Sequence, residues 1–213
     1  MEIVWYGLSC FRLSERGKAT VVTDPYSAEI GLPPLKLKAD IVTVSHDAAG
    51  HNNVKAVKGV RREITGPGEY EIGEVFIIGI QMRPKKSTKT KARANMLYMF
   101  DFDGLTVVHL GDLAYVPSQA QIEDLGTVDI ALVPVGGGGA LTPSQASEVI
   151  SLIEPSVVVP MHYKIGDIEL KLGTLKRFLS EMGISEYEAL PGLKIAKSGL
   201  SEDTQVVVLE PTL

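Results

Sequence analysis

At 213 residues, 45% hydrophobic and 22% charged, the chain can bury one substantial core and is read as one globular domain over 1–213. Its net charge of -5 excludes a general nucleic-acid or polyanion binder, because such surfaces need an excess of lysine and arginine. Cys10 is the only cysteine, which excludes an intramolecular disulfide and any multi-cysteine zinc site.

Met1 leads straight into "EIVWYG" with no basic n-region or apolar h-region, and no apolar run reaches bilayer length. The expectation is a soluble, cytoplasmic protein without a membrane partner. Short β-rich runs fill the first half: "EIVWYG" (2–7), "CFRLSE" (10–15), "ATVVTD" (19–24), "DIVTVS" (40–45), "EVFIIGI" (74–80) and "NMLYMFDF" (95–102). Their valine, isoleucine and aromatic content, punctuated by Gly, Asp and Pro, predicts strands. The second half alternates. "LTVVHL" (105–110) precedes the helical "SQAQIEDLG", "VDIALVPV" (128–135) precedes "TPSQASEVISLIEP", and "SVVVPM" (156–161) precedes "LKLGTLKRFLSEMG". A last strand, "TQVVVLE" (204–210), closes the series. Thr142, Pro143 and Gln145 form a capping-box signature for the second helix. Leu172, Leu175, Phe178, Leu179 and Met182 mark one face of the third. Strands followed by strand-helix alternation predict two packed sheets with helices outside.

The potential ligands cluster in this pattern. His46 and His51 follow "DIVTVS", His109 and Asp112 end "LTVVHL" in "HLGD", and His162 follows "SVVVP" in "MHY". In α/β sheets the carboxyl ends of strands gather in one crevice where ligands bind. One such histidine is ordinarily just a polar residue at a strand end; their joint placement points to a site. Two other stretches read as loops: the strongly basic "RPKKSTKTKAR" (83–93) and "GGGG" (136–139). The latter lacks the Lys and Ser or Thr of a phosphate-binding loop and is read as a permissive turn beside the site.

"WYGLSCFRL", "VVTDPY", the H-x-x-x-x-H of 46–51, "GPGEYEIGEVFIIGI", "VVHLGDL", "VDIALVPVGG" and "VVVPMHY" follow one another in an order that resembles the metallo-β-lactamase superfamily. The resemblance runs from residue 2 to about 165 and is nearest to the branch of Zn-dependent hydrolases that includes the L-ascorbate-6-phosphate lactonases. It implies an α/β fold, the four-layer αββα sandwich, with a metal site along one edge.

The family's H-x-H-x-D-H motif has the length of "HDAAGH". His46 matches its first histidine and His51 its last, while Ala48 and Gly50 stand where a histidine and an aspartate belong. The later histidine expected after "EVFIIGI" is missing from "QMRPKK", and Leu8 replaces the histidine of the G-H-x-C that relatives often carry. The bridging aspartate matches Asp112 and the last histidine matches His162. By this resemblance His46 is what remains of a first metal site, and one imidazole with a shared carboxylate is too few ligands for zinc. His51, Asp112 and His162 remain of the second, a set suited to one Zn²⁺, Mn²⁺ or Fe²⁺ ion, or to none.

The family's hydrolysis uses a water made acidic by metal, and losing the aspartate at position 50 and the first metal weakens that chemistry. The reading therefore favours a non-catalytic or ligand-binding member, with an eroded dinuclear site, whose crevice takes a small anionic molecule or a protein partner. The alternative is a mononuclear metal-dependent hydrolase of a small ester, lactone or phosphorylated substrate, with His46 as proton carrier or substrate contact. Arg83, Lys85 or Lys86 could supply a fixed cation beside Asp112 and contact such a ligand, although charge runs are usually solvated surface. No aromatic falls between 83 and 93 to stack a base, so nucleic acid is not expected. His109 is expected beneath or within the site, and Tyr163 is placed to donate to a ligand. Asp24 is read as a turn-former before Pro25, Asp47 as pointing away from the site, and Cys10 as core. A homo-oligomer fits the branch, but no apolar stripe names an interface.

Overall fold

A computed structural model describes residues 1–83 and 94–213. Five strands of the first sheet come in chain order: β1 (Glu2–Trp5), β2 (Phe11–Ser14), β3 (Val21–Thr23), β4 (Ile41–Thr43) and β5 (Arg62–Ile64). Leu193–Lys194 joins beside β1. β1, β2 and β3 are antiparallel, while β3, β4 and β5 run parallel. The second sheet holds β6 (Gly68–Ile72), β7 (Val75–Met82), β8 (Asn95–Phe102), β9 (Leu105–His109), β10 (Ile130–Pro134) and β11 (Val157–Met161), with Gln205–Val206 at its edge. Its β6 to β9 form an antiparallel meander, and β9, β10 and β11 are parallel.

Side-chain alternation explains the layering. In β3 and β4, Val21 and Ile41 join the core shared with the second sheet, whereas their neighbours Val22 and Val42 join a separate cluster with Leu8, Tyr26, Ile30 and Leu37. Each central strand thus buries both faces, which is why it reads as a continuous apolar run. Helices α1 (Gln119–Glu123), α2 (Pro143–Ile153) and α3 (Leu175–Glu181) belong to the second half, and the buried residues of all three join the main core. The outer layer of the first sheet carries, among the described residues, 3-10 turns at Ala28–Ile30 and Val54–Ala56.

The capping box on α2 forms as its sequence predicts, with Thr142 accepting from the Gln145 amide and Gln145 returning the bond. Two expectations shift. Leu172 lies outside α3, whose N-cap is Thr174; it packs instead with the Leu8 cluster. "TQVVVLE" is split, because Gln205–Val206 follows β11 whereas Val208–Leu209 pairs with Ala189–Leu190. The sheets are tied at one edge, where the Met96 amide donates to the Ser45 carbonyl and the Tyr98 hydroxyl to the Val44 carbonyl. That edge carries the histidines. No helix among the described residues is long and apolar enough to cross a membrane.

Candidate metal centre

His46 and His51 lie on the loop leaving β4, Asp112 lies just past β9, and His162 is the residue after β11. Because β9, β10 and β11 are parallel, their carboxyl ends face the same edge. One close approach brings two of the loops together. Gly136, first of the glycine run, donates its amide to the His162 carbonyl at 3.0 Å. A Cβ there would lie 2.3 Å from that oxygen, so only glycine fits. His162 itself has φ 52°, a left-handed conformation that turns its ring into the crevice.

Four side chains converge. His51 Nε2 is 3.0 Å from Asp112 Oδ1, His162 Nε2 is 3.3 Å from the same oxygen, and His46 Nε2 is 3.6 Å from Oδ2. The His46 and His51 ring centroids are 4.3 Å apart, and those of His51 and His162 5.7 Å. His51 and His162 are buried; Asp112 and His46 are half-buried. Burial alone would raise the Asp112 carboxyl, but the attraction of His51 and His162 outweighs it and holds the group well below the usual carboxylate range. His51 is pushed the other way: burial would lower it, yet the Asp112 charge leaves it raised. For His162 burial wins and the imidazole stays below its ordinary value.

A shell of polar groups fixes these residues. Asn95 Oδ1 accepts the Asp112 amide at 2.9 Å and its Nδ2 donates to the Leu110 carbonyl at 2.9 Å. Asp24, buried, accepts the Ser45 amide at 2.7 Å and the Ser45 hydroxyl at 2.5 Å. Ser45 Oγ is 3.0 Å from His46 Nδ1. Sequence reasoning missed Asn95 and Ser45 and gave Asp24 only a turn. The available signals were one amide opening the apolar "NMLYMFDF" and a hydroxyl directly before His46.

Other expected contacts lie elsewhere. His109 is fully buried, donating from Nε2 to the Ser9 carbonyl at 2.9 Å and accepting the Gly111 amide at Nδ1, so it braces the Ser9 loop and does not line the crevice. Burial keeps it below the ordinary histidine value. Tyr163 is buried with its ring 5.1 Å from Trp5, because the left-handed turn at His162 sends the next side chain into the core. Arg83 is exposed beyond Met82, and Lys85 and Lys86 lie outside the described residues. Among the described residues no lysine or arginine pairs with Asp112; imidazoles do. Asp47 is exposed and accepts from the Asn52 amide side chain, away from the cluster. Cys10 is buried in the Leu8 cluster, and burial pushes its thiol up.

Two of the positions where family residues are replaced, 8 and 50, are packed together. A Cβ on Gly50 would lie 3.3 Å from Leu8 Cδ1, and Leu8 is fully buried. A leucine thus fills the space beside the position where the resemblance expects an aspartate.

The donor set fits a metal ion. Ligand atoms of His46, His51 and Asp112 lie within 4.8 Å of one another, His162 Nε2 approaches the same Asp112 oxygen as His51, and the Nδ1 atoms of His51 and His162 have no hydrogen-bond partner among the described residues. Mixed imidazole and carboxylate donors suit Zn²⁺ and its neighbours.

A sequence profile described as "Beta-lactamase superfamily domain" matches residues 2–162. A UPF0173 protein of Pyrococcus furiosus is 29% identical over 76% of this chain and 83% of its own. A UPF0173 metal-dependent hydrolase of Methanoculleus marisnigri is 30% identical over 76% of this chain and 81% of its own. Among solved structures, a Thermotoga maritima chain named for Zn-dependent hydrolysis in the metallo-β-lactamase superfamily is 35% identical. It covers 98% of this chain and 97% of its own, with a TM-score of 0.78.

Proposed function

Because the chain belongs to the β-lactamase superfamily domain family, in its UPF0173 metal-dependent hydrolase group, we propose that it is a hydrolase working with one divalent ion held by His51, Asp112 and His162. The observation that carries this reading is the convergence of imidazoles on the Asp112 carboxylate. An ion there would supply Lewis acidity and a water of lowered pKa. Three protein ligands with an open position are the usual pattern of a catalytic zinc site.

The chain's own residues do the rest. Asn95 fixes Asp112 through its backbone amide, and Gly136 lets the His162 turn close on the crevice. Leu8 against Gly50 explains why one ion, not two, is expected. The substrate class proposed is a small ester, lactone or phosphorylated compound. Zinc-loaded protein screened against lactones and phosphoesters is expected to turn over at least one class, with Asp112→Ala inactive. Bound metal without turnover of any class would favour the non-catalytic binder instead.

A further inference from the structure

Leu8 is fully buried in the turn between β1 and β2, with φ 47°. A left-handed leucine is a strained backbone that persists only where its surroundings hold it. Two donors meet on its carbonyl, one for each lone pair: the Trp5 indole Nε1–H at 2.9 Å and the His162 backbone amide at 3.1 Å. The turn closes on itself through the Cys10 amide to the Gly7 carbonyl at 2.9 Å and the Tyr6 amide to the Cys10 carbonyl at 2.8 Å. The Leu8 carbonyl is left to reach outward.

β1 belongs to the first sheet and β11 to the second, so this carbonyl ties the sheets together at a candidate metal ligand. The same leucine reaches the other loop: its Cδ1 is 3.3 Å from where a Cβ on Gly50 would lie, one residue before His51. Leu8 thus touches both of the loops whose His51 and His162 ring centroids stand 5.7 Å apart. Trp5, fully buried, backs the His162 turn twice. It spends its single donor on the Leu8 carbonyl, and its ring lies 5.1 Å from that of Tyr163, the residue after His162. With the Gly136 amide on its carbonyl, His162 is held at both of its backbone polar groups.

We propose that Trp5 and Leu8 are positioning residues: the indole N–H fixes the left-handed Leu8 carbonyl, which holds the His162 amide, so that His162 already faces His51 and Asp112 before an ion arrives. This rests on the one-ion reading above and goes beyond it by assigning the preorganisation of the site to two residues outside the ligand set. A chain whose ligands must first rearrange binds only through its competent fraction, so loosening the clamp weakens apparent affinity.

Trp5→Phe removes the donor and keeps an aromatic ring beside Tyr163. Phe11→Leu is the control, because Phe11 packs on the same indole, with ring centroids 6.3 Å apart, but its side chain has no donor for Leu8. Zinc affinity of the full chain, measured by chelator competition, is expected to fall about two- to tenfold in Trp5→Phe, the equivalent of one neutral hydrogen bond, and to stay at the wild-type value in Phe11→Leu. Trp5 is the only tryptophan, so the wild type has one indole ¹H–¹⁵N resonance. Zinc added to the metal-free chain is expected to move it, with saturation near one equivalent. An indole resonance that stays in place while the wild type binds zinc, or a Trp5→Phe affinity equal to the wild type, overturns the clamp and leaves the one-ion reading standing. Equal weakening in Trp5→Phe and Phe11→Leu also overturns the clamp, because the loss would then follow core packing. A wild-type chain that binds no zinc overturns the one-ion reading and the clamp with it.

Discussion

Asn95 shows how much one residue holds at this site. It is buried at the head of an apolar strand, and its side chain satisfies both the Asp112 amide and the Leu110 carbonyl. Asn95→Ala would leave the buried Leu110 carbonyl and the part-buried Asp112 amide without their partner, which costs about 1–3 kcal/mol. Urea unfolding should show that loss, and zinc affinity should fall with it. His109 sets a second prediction. Burial depresses its folded pKa, so below the unfolded value of about 6.5 the unfolded chain takes up a proton that the folded chain refuses. The His109 contribution is therefore intact above about pH 6.5 and is lost as pH falls below it, with a slope of at most about 1.4 kcal/mol per pH unit. His109→Gln should be less stable at pH 7, through the weakened Ser9 bond, yet lose less between pH 6.5 and 5. A variant whose acid slope matched the wild type would contradict this. His46, His51, Asp112 and His162 were legible because each follows a buried strand. His109 shares that placement, and sequence spacing could not reveal that its ring turns beneath the site toward Ser9.

The elements matter through the loops they hold at one edge. The Gly136 amide bonds the carbonyl of His162, and a Cβ at 136 would collide with that oxygen, so Gly136→Ala must move backbone. The expected cost is about 1–3 kcal/mol. Melting temperature should fall by roughly 2–4 °C for each kcal/mol lost in a chain of this size, with weaker zinc binding because His162 shifts. An unchanged melting temperature would mean that the glycine is incidental. Most strands were readable from their β-branched runs. β5 and β6 were not, because Arg62 and Glu63 leave only Ile64 buried in the three residues of β5, and the alternating Tyr70 and Ile72 of β6 are only half-buried between exposed Glu69 and Glu71. The split of "TQVVVLE" between two ladders was likewise invisible, since which partner a strand chooses is a tertiary matter.

At the scale of the molecule, two sheets meet along an edge where the N-terminal loop, the β4 loop and the ends of β9 and β11 share one crevice. Leu8 and Gly50 come from different loops yet occupy one space, so changes there should couple. Gly50→Asp alone is expected to improve zinc affinity little, because Leu8 stands against the new side chain. Combined with Leu8→Ala it should improve affinity by more than the separate effects, with a coupling of about 0.5–3 kcal/mol. Additive effects would separate the two positions. The central claim is one ion at His51, Asp112 and His162, and metal stoichiometry tests it most directly. Protein purified without chelator or affinity tag, then loaded with zinc and analysed for bound metal, should hold about one equivalent per chain and none in Asp112→Ala. Two equivalents, or none at micromolar zinc, would contradict the account.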